Sequence, residues 1–141
     1  MLFSNILLAY NDTELSNKAL ETAKELVKAN PEAKIDILYA VQLAIPTYTS
    51  GIVIQETQDK MNEYAKETLE KALSQLSELP NPIHTFVVDK QPIPAILDHT
   101  ESHGNDLIIM GNRGLSGIKE FFDSVSHVIV QKSPIPVLLI K

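Results

Sequence analysis

Apolar residues recur along this chain in two alternating patterns. Compact runs at 3–9, 35–41, 83–88, 106–110 and 134–140 read as strands. Helical spacing fills the intervals. From the turn and cap residues Asn11, Asp12 and Thr13 a helix runs to about residue 30, with Leu15, Ala19, Ala23, Leu26 and Val27 on one face. Pro31 ends it. A long helix over 55–79 turns Met61, Tyr64, Ala65, Leu69, Ala72, Leu73 and Leu76 inward, and alternates acidic and basic residues on the solvated side. Pro80, Asn81 and Pro82 break the chain after it. A short helix over 93–103 opens at Pro92 and ends at Gly104. A last helix over 115–131 holds Ile118, Phe121, Phe122, Val125 and Ile129 inward. Strands alternating with helices predict an α/β fold: one domain over 1–141 with a mostly parallel sheet, right-handed crossovers and helices on both faces. Residues 42–54, with Pro46 and Gly51, form a long irregular connection that reads as a lid or as a disordered loop.

At 141 residues and 44% hydrophobic, the chain can bury a core without a metal or a disulfide. It has no cysteine, which excludes a thiolate zinc site and a cysteine nucleophile. The net charge of −6 and the lack of a Lys/Arg cluster argue against nucleic-acid binding. The first residues do not form a secretory signal, and the longest apolar runs, 6–10 and 137–140, are too short for a bilayer. These features predict a soluble protein of the cytoplasm.

In an open parallel sheet, ligands sit beyond the carboxyl ends of the strands, where the strand order reverses. The residues just after each predicted strand are therefore the candidates. The most informative stretch is Gly111-Asn112-Arg113-Gly114-Leu115-Ser116-Gly117, a glycine-rich turn between a buried strand and a helix. Glycines let a backbone approach an anion closely, and a helix N-terminus favours negative charge. Arg113 and Lys119 add positive charge there, and Ser116, Ser124 and Ser126 add hydroxyl donors. A plain strand-to-helix turn, with glycine for geometry, explains the glycines equally well.

Taken together, several segments resemble the universal stress protein family over essentially the whole length. They are residues 6–16, beginning Ile6-Leu7-Leu8-Ala9-Tyr10-Asn11-Asp12, then Pro92-Ile93-Pro94-Ala95-Ile96-Leu97, the stretch from Asn105 to Gly117, Ser124-Val125-Ser126, and residues 133–140. The resemblance implies a doubly wound, five-stranded parallel sheet of the Rossmann-like, adenine-nucleotide α-hydrolase-like kind. It also implies a homodimer, paired through the final strand at Val137 to Ile140. A nucleotide-binding branch of the family carries Gly-x2-Gly-x9-Gly-Ser/Thr after the fourth strand. Carried over by position, Ala9 and Asn11 would face the nucleoside and the backbone of Val41 would hold adenine. Gly111, Gly114 and Ser124 would hold the phosphates of ATP, ADP or AMP, with Mg²⁺ as a companion ion.

The sequence departs from that pattern. The family's first-strand Asp is Asn11, and its glycine before the third helix is Lys90. Asp123 stands where the third motif glycine is expected, and the spacing from Gly114 to Ser124 is one residue short. At an effective dielectric near 20, like charges ~4 Å apart repel by about 4 kcal/mol, unless a cation lies between them. Two alternatives therefore stand beside a nucleotide-binding regulatory module: a dimeric interaction protein with a lapsed site, and a slow ATPase. No catalytic residue is assigned.

Other constellations carry less. His99 and His103 lie four apart on a helix, a spacing open to a metal, or simply to a polar helix end where a cationic His suits the dipole. Ser124, Ser126 and His127 lack a nucleophile elbow. Asn11-Asp12 faintly resembles a phospho-acceptor receiver, but receivers end in a helix and this chain ends in a strand pattern.

Overall fold

The computed structural model describes residues 3–41, 51–112 and 119–141; for 51–55, 57–58 and 119–124 it describes the backbone alone. Nine elements follow in order: β1 (Asn5–Ala9), α1 (Glu14–Lys28), β2 (Lys34–Ala40), α2 (Gly51–Gln75), β3 (Ile83–Val88), α3 (Pro92–His103), β4 (Leu107–Gly111), α4 (Lys119–Lys132) and β5 (Val137–Ile140). The strands form one parallel sheet in the order β3-β2-β1-β4-β5. The chain winds outward from β1 through β2 to β3, then returns to lay β4 on the other side of β1. The order reverses between β1 and β4, which opens a crevice at their carboxyl ends.

Alternation along the strands divides the core in two. Ile6, Leu8, Tyr10, Ile35, Ile37, Leu107 and Ile109 face α1 and α2. Leu7, Leu38, Ile108 and Met110 face α3 and α4 with Ala95, Ile96, Val125 and Ile129. Two helices end where their local chemistry says they should. Thr13 caps α1 in a reciprocal box with Ser16, with Glu14 in the first turn and Lys28 in the last. Pro92 opens α3, and Gly104 closes it at φ 64, a left-handed conformation that glycine adopts freely.

Some expected boundaries and faces shift. β1 starts at Asn5 and β5 at Val137, because pairing with the neighbouring strands begins only there. β4 runs from Leu107 to Gly111. α2 starts earlier and ends earlier than its spacing predicts, taking 51–54 out of the irregular connection; the lid-or-loop question for 42–50 lies outside the described residues. Leu26, Tyr64 and Leu73 are exposed, at 42%, 55% and 39%. Each sits next to a buried stripe, about 100° of helix rotation away. The stripes are Ala19, Leu20, Ala23 and Val27 on α1, and Ala65, Thr68, Leu69, Ala72 and Leu76 on α2. The inward positions Ile118, Phe121 and Phe122 fall outside the described side chains, whereas Val125 and Ile129 are buried as expected. No helix among the described residues is long and apolar enough to cross a membrane.

Candidate functional site

The crevice begins where β1 ends. Tyr10 extends the pairing by giving its N–H to the Leu38 carbonyl at 2.9 Å, so the chain leaves the sheet at Asn11. Thr13 Oγ1 donates to Asn11 Oδ1 at 2.7 Å while accepting the Ser16 amide at 3.2 Å. With its oxygen engaged, Asn11 offers its side-chain NH₂ as the group still open to a ligand. The α1 N-terminus, by contrast, spends its Ser16 amide on its own cap. Ala9, half-buried, lies on the α3/α4 face of the same strand end.

Asp12 takes the left-handed φ of 57 and turns its carboxylate towards α2. The Tyr64 hydroxyl donates to Asp12 Oδ2 at 3.1 Å. The Tyr10 hydroxyl donates to Asn17 Oδ1 at 2.6 Å and lies 3.5 Å from Asp12 Oδ1. Burial, and then the Asp12 charge, push the Tyr10 hydroxyl up to about 12. Tyr39 is also raised, first by burial and then by Tyr64 and Asp12. Two tyrosine hydroxyls, those of Tyr10 and Tyr64, thus meet one carboxylate, whose charge also acts on Tyr39. Hydrophobic spacing concealed this cluster, since it assigned Tyr64 to the core; a tyrosine beside an otherwise charged helix stripe is the signal that could have found it.

At the end of β2, Val41 is buried and gives its N–H to the Val88 carbonyl at 2.8 Å, which leaves its carbonyl as its remaining backbone group. On the far side of the crevice, Gly111 closes β4 opposite Ile140, and Asn112 N–H donates to the Ile140 carbonyl at 2.8 Å. Ser126, buried on α4, points its hydroxyl at the Asn112 carbonyl at 3.3 Å. It therefore ties α4 to the end of β4. Ala9, Asn11, Val41, Gly111 and Ser126 are brought to the carboxyl end of one sheet. Arg113, Gly114, Ser116 and Gly117 lie outside the described residues, as do the side chains of Ser124, Lys119 and Asp123. Lys90 pairs with Asp98 at 3.1 Å on the surface.

The opposite end of the sheet has its own polar cluster. Asp36, fully buried on β2, accepts from His99 Nε2 at 2.9 Å and from Asn105 Nδ2 at 3.3 Å. Asn105 also donates to Asn5 Oδ1 at 2.9 Å, and Asp106 accepts the Ser4 and Asn5 amides at 2.9 Å and 3.1 Å. The His99 and His103 rings stack 3.8 Å apart, and both meet the edge of Phe86. A polar, dipole-paired His at position 99 is therefore incorrect: the ring is buried against Asp36, and burial holds its pKa below the usual 6.5 despite the carboxylate. Among the described residues no group of three metal-ligating side chains converges.

A switch-point crevice on a five-stranded, doubly wound parallel sheet defines a class of α/β proteins, and comparison with known proteins narrows it. The family model described as "Universal stress protein family" matches residues 2–141, and the chain belongs to that family. It is 33% identical over 149 residues to the universal stress protein YxiE of Bacillus subtilis, covering 99% of this chain and 100% of YxiE. Its fold matches universal stress protein UspA from Lactobacillus plantarum with a TM-score of 0.88 at 23% identity, over 100% of this chain and 99% of that one. It also matches a universal stress protein family protein from Arabidopsis thaliana, solved with AMP bound, with a TM-score of 0.72 at 19% identity, over 98% and 91% of the two chains.

Proposed function

We propose that this protein is a nucleotide-binding regulatory module that holds an adenine nucleotide in the crevice between the carboxyl ends of β1 and β4. The observation that carries this reading is that Asn11, whose NH₂ has no hydrogen-bond partner among the described residues, and Val41 stand at the same end of the sheet as Gly111, which leads into the glycine-rich sequence. A donor and a backbone carbonyl suit the heteroatoms of a nucleoside. Asn11 and the backbone beside Ala9 would meet the nucleoside, and the Val41 carbonyl would accept from the adenine amine. Gly111, Gly114, Ser116, Gly117 and Ser124 would hold phosphate, with Arg113 as an outer charge. Ser126 supports the site through Asn112. The AMP carried by the Arabidopsis relative supports the ligand class. Mg²⁺ would arrive as the chelate of ATP, supplying charge neutralisation against Asp123.

The reading is one of binding rather than catalysis within the cell. Asp12, a carboxylate in the turn after β1, is engaged by Tyr64 and is poorly placed to activate water. A homodimer through β5 is part of the same proposal: β5 is an edge strand, and Leu138 on it and Val130 on α4 are exposed, at 38% and 50%. Light scattering should give twice the chain mass.

Mass spectrometry of small molecules released on denaturing freshly purified protein, followed by titration with Mg-ATP, tests the function. The reading expects adenine nucleotide near one per chain, or saturable Mg-ATP binding. If neither is found, the rival reading gains: Asp123 and the shortened motif have disabled the site, and the protein works as an interaction module.

A further inference from the structure

Asp12 is the one non-glycine residue with a positive φ among the described residues, at 57. The left-handed conformation costs an L-residue free energy, and persists where surrounding contacts hold it. Here the holding contacts come from α2 and from the same turn. Tyr64, on α2 and 52 positions away in sequence, donates to Asp12 Oδ2 at 3.1 Å. Tyr10, 4% exposed and fixed to Asn17, stands 3.5 Å from Oδ1.

We propose that Asp12 is a positioning residue of the ligand site and that Tyr64 is its anchor on α2. This rests on the nucleotide reading above. Asp12 lies directly between Asn11, whose NH₂ that reading assigns to the ligand, and Thr13, whose hydroxyl bonds that amide's oxygen. It does not cap α1, a role that Thr13 and Ser16 fill between them. Its carboxylate therefore acts on the turn. Letting Asp12 relax to an ordinary φ would swing Asn11 relative to Thr13 and break the 2.7 Å bond that aims the amide. The same contact couples the site to α2. A ligand that grips Asn11 favours the strained turn, and the turn in turn favours the Tyr64 contact; by reciprocity, seating Tyr64 strengthens ligand binding. Occupancy of the crevice is thereby transmitted to an exposed helix face.

Tyr64 is 55% exposed, so losing its hydroxyl leaves the core untouched, and affinity can be separated from stability. Calorimetric titration with AMP and with Mg-ATP, paired with thermal melts, tests the assignment on the wild type, Tyr64→Phe, Asp12→Gly and Asp12→Asn. Tyr64→Phe should bind about fivefold more weakly at an unchanged melting temperature. Asp12→Gly adopts the left-handed turn without strain but loses the tether, and should bind about tenfold more weakly. Asp12→Asn tolerates the turn and still accepts from Tyr64, and should keep most of the affinity. If the wild type binds and both Tyr64→Phe and Asp12→Gly bind equally well, the positioning role is wrong and the nucleotide reading stands. If the wild type binds neither ligand, the nucleotide reading falls and the positioning role with it.

Discussion

At the amino end of the sheet, Asn5, Asp36, His99, Asn105 and Asp106 bond chiefly to one another or to strand backbone. At the carboxyl end, Asn11 accepts from Thr13 and Val41 donates to Val88, and the other polar group of each has no partner among the described residues. Both ends are rich in Asn and Asp, so composition does not distinguish them. Geometry does: at the amino end Asp36, His99 and Asn105 are buried, and an unmade bond there costs about 1–3 kcal/mol. The carboxyl-end groups stand at the strand ends around the reversal point, where parallel sheets take their ligands. One end is a structural clamp, and the other is where the protein meets a ligand.

The comparison breaks most sharply at Asp36. Replacing it with Ala strands the buried His99 and Asn105 donors, and should cost about 3 kcal/mol in urea unfolding. A loss below 1 kcal/mol, about the net worth of one ordinary hydrogen bond, would mean that the clamp is incidental. At the other end, Gly114→Leu should lower nucleotide affinity by more than about tenfold, as a side chain displaces phosphate from a close backbone approach; unaltered affinity would move the phosphates elsewhere.

A smaller effect should follow acidification. His99 is held below 6.5 in the fold, chiefly by burial. The unfolded chain therefore takes up this proton first, and stability falls as pH drops through about 6.5 toward the folded value. Above that range the term is flat. Denaturation midpoints between about pH 7 and pH 5 should decline less for His99→Gln than for the wild type. An equal decline would assign the acid sensitivity to other groups. The smallest effect belongs to Lys90→Ala. The Lys90–Asp98 pair is half-exposed, so its loss should change stability by no more than about 0.5 kcal/mol, measured by the same unfolding.

The fold was legible because its signals are local and repeated. Alternating strand and helix periods, Pro92 before α3 and Gly104 after it each specify an element without reference to distant residues. The rule for parallel sheets pointed to the carboxyl ends of the strands, and so to Asn11, Val41 and Gly111, but the strand order, and with it the reversal between β1 and β4, is visible only in the structure. What escaped depends on contacts across long sequence separations. Asp36 inside a β2 run looks like an interruption until α3 lays His99 on it, 63 residues away. Tyr64 looks like core until the turn after β1 supplies Asp12. Helical spacing also fixes a stripe only to within one residue, which is why Leu26 and Leu73 were placed on the wrong side.

The division between clamp and ligand rim is tested most directly by amide and side-chain shifts of ¹⁵N-labelled protein on adding AMP. The account predicts saturable changes at the Asn11 side-chain NH₂ and at the Val41, Gly111 and Gly114 amides, with Asn5, Asp36, His99 and Asn105 unmoved. Shifts concentrated at the amino end, or none at saturating AMP, would contradict it.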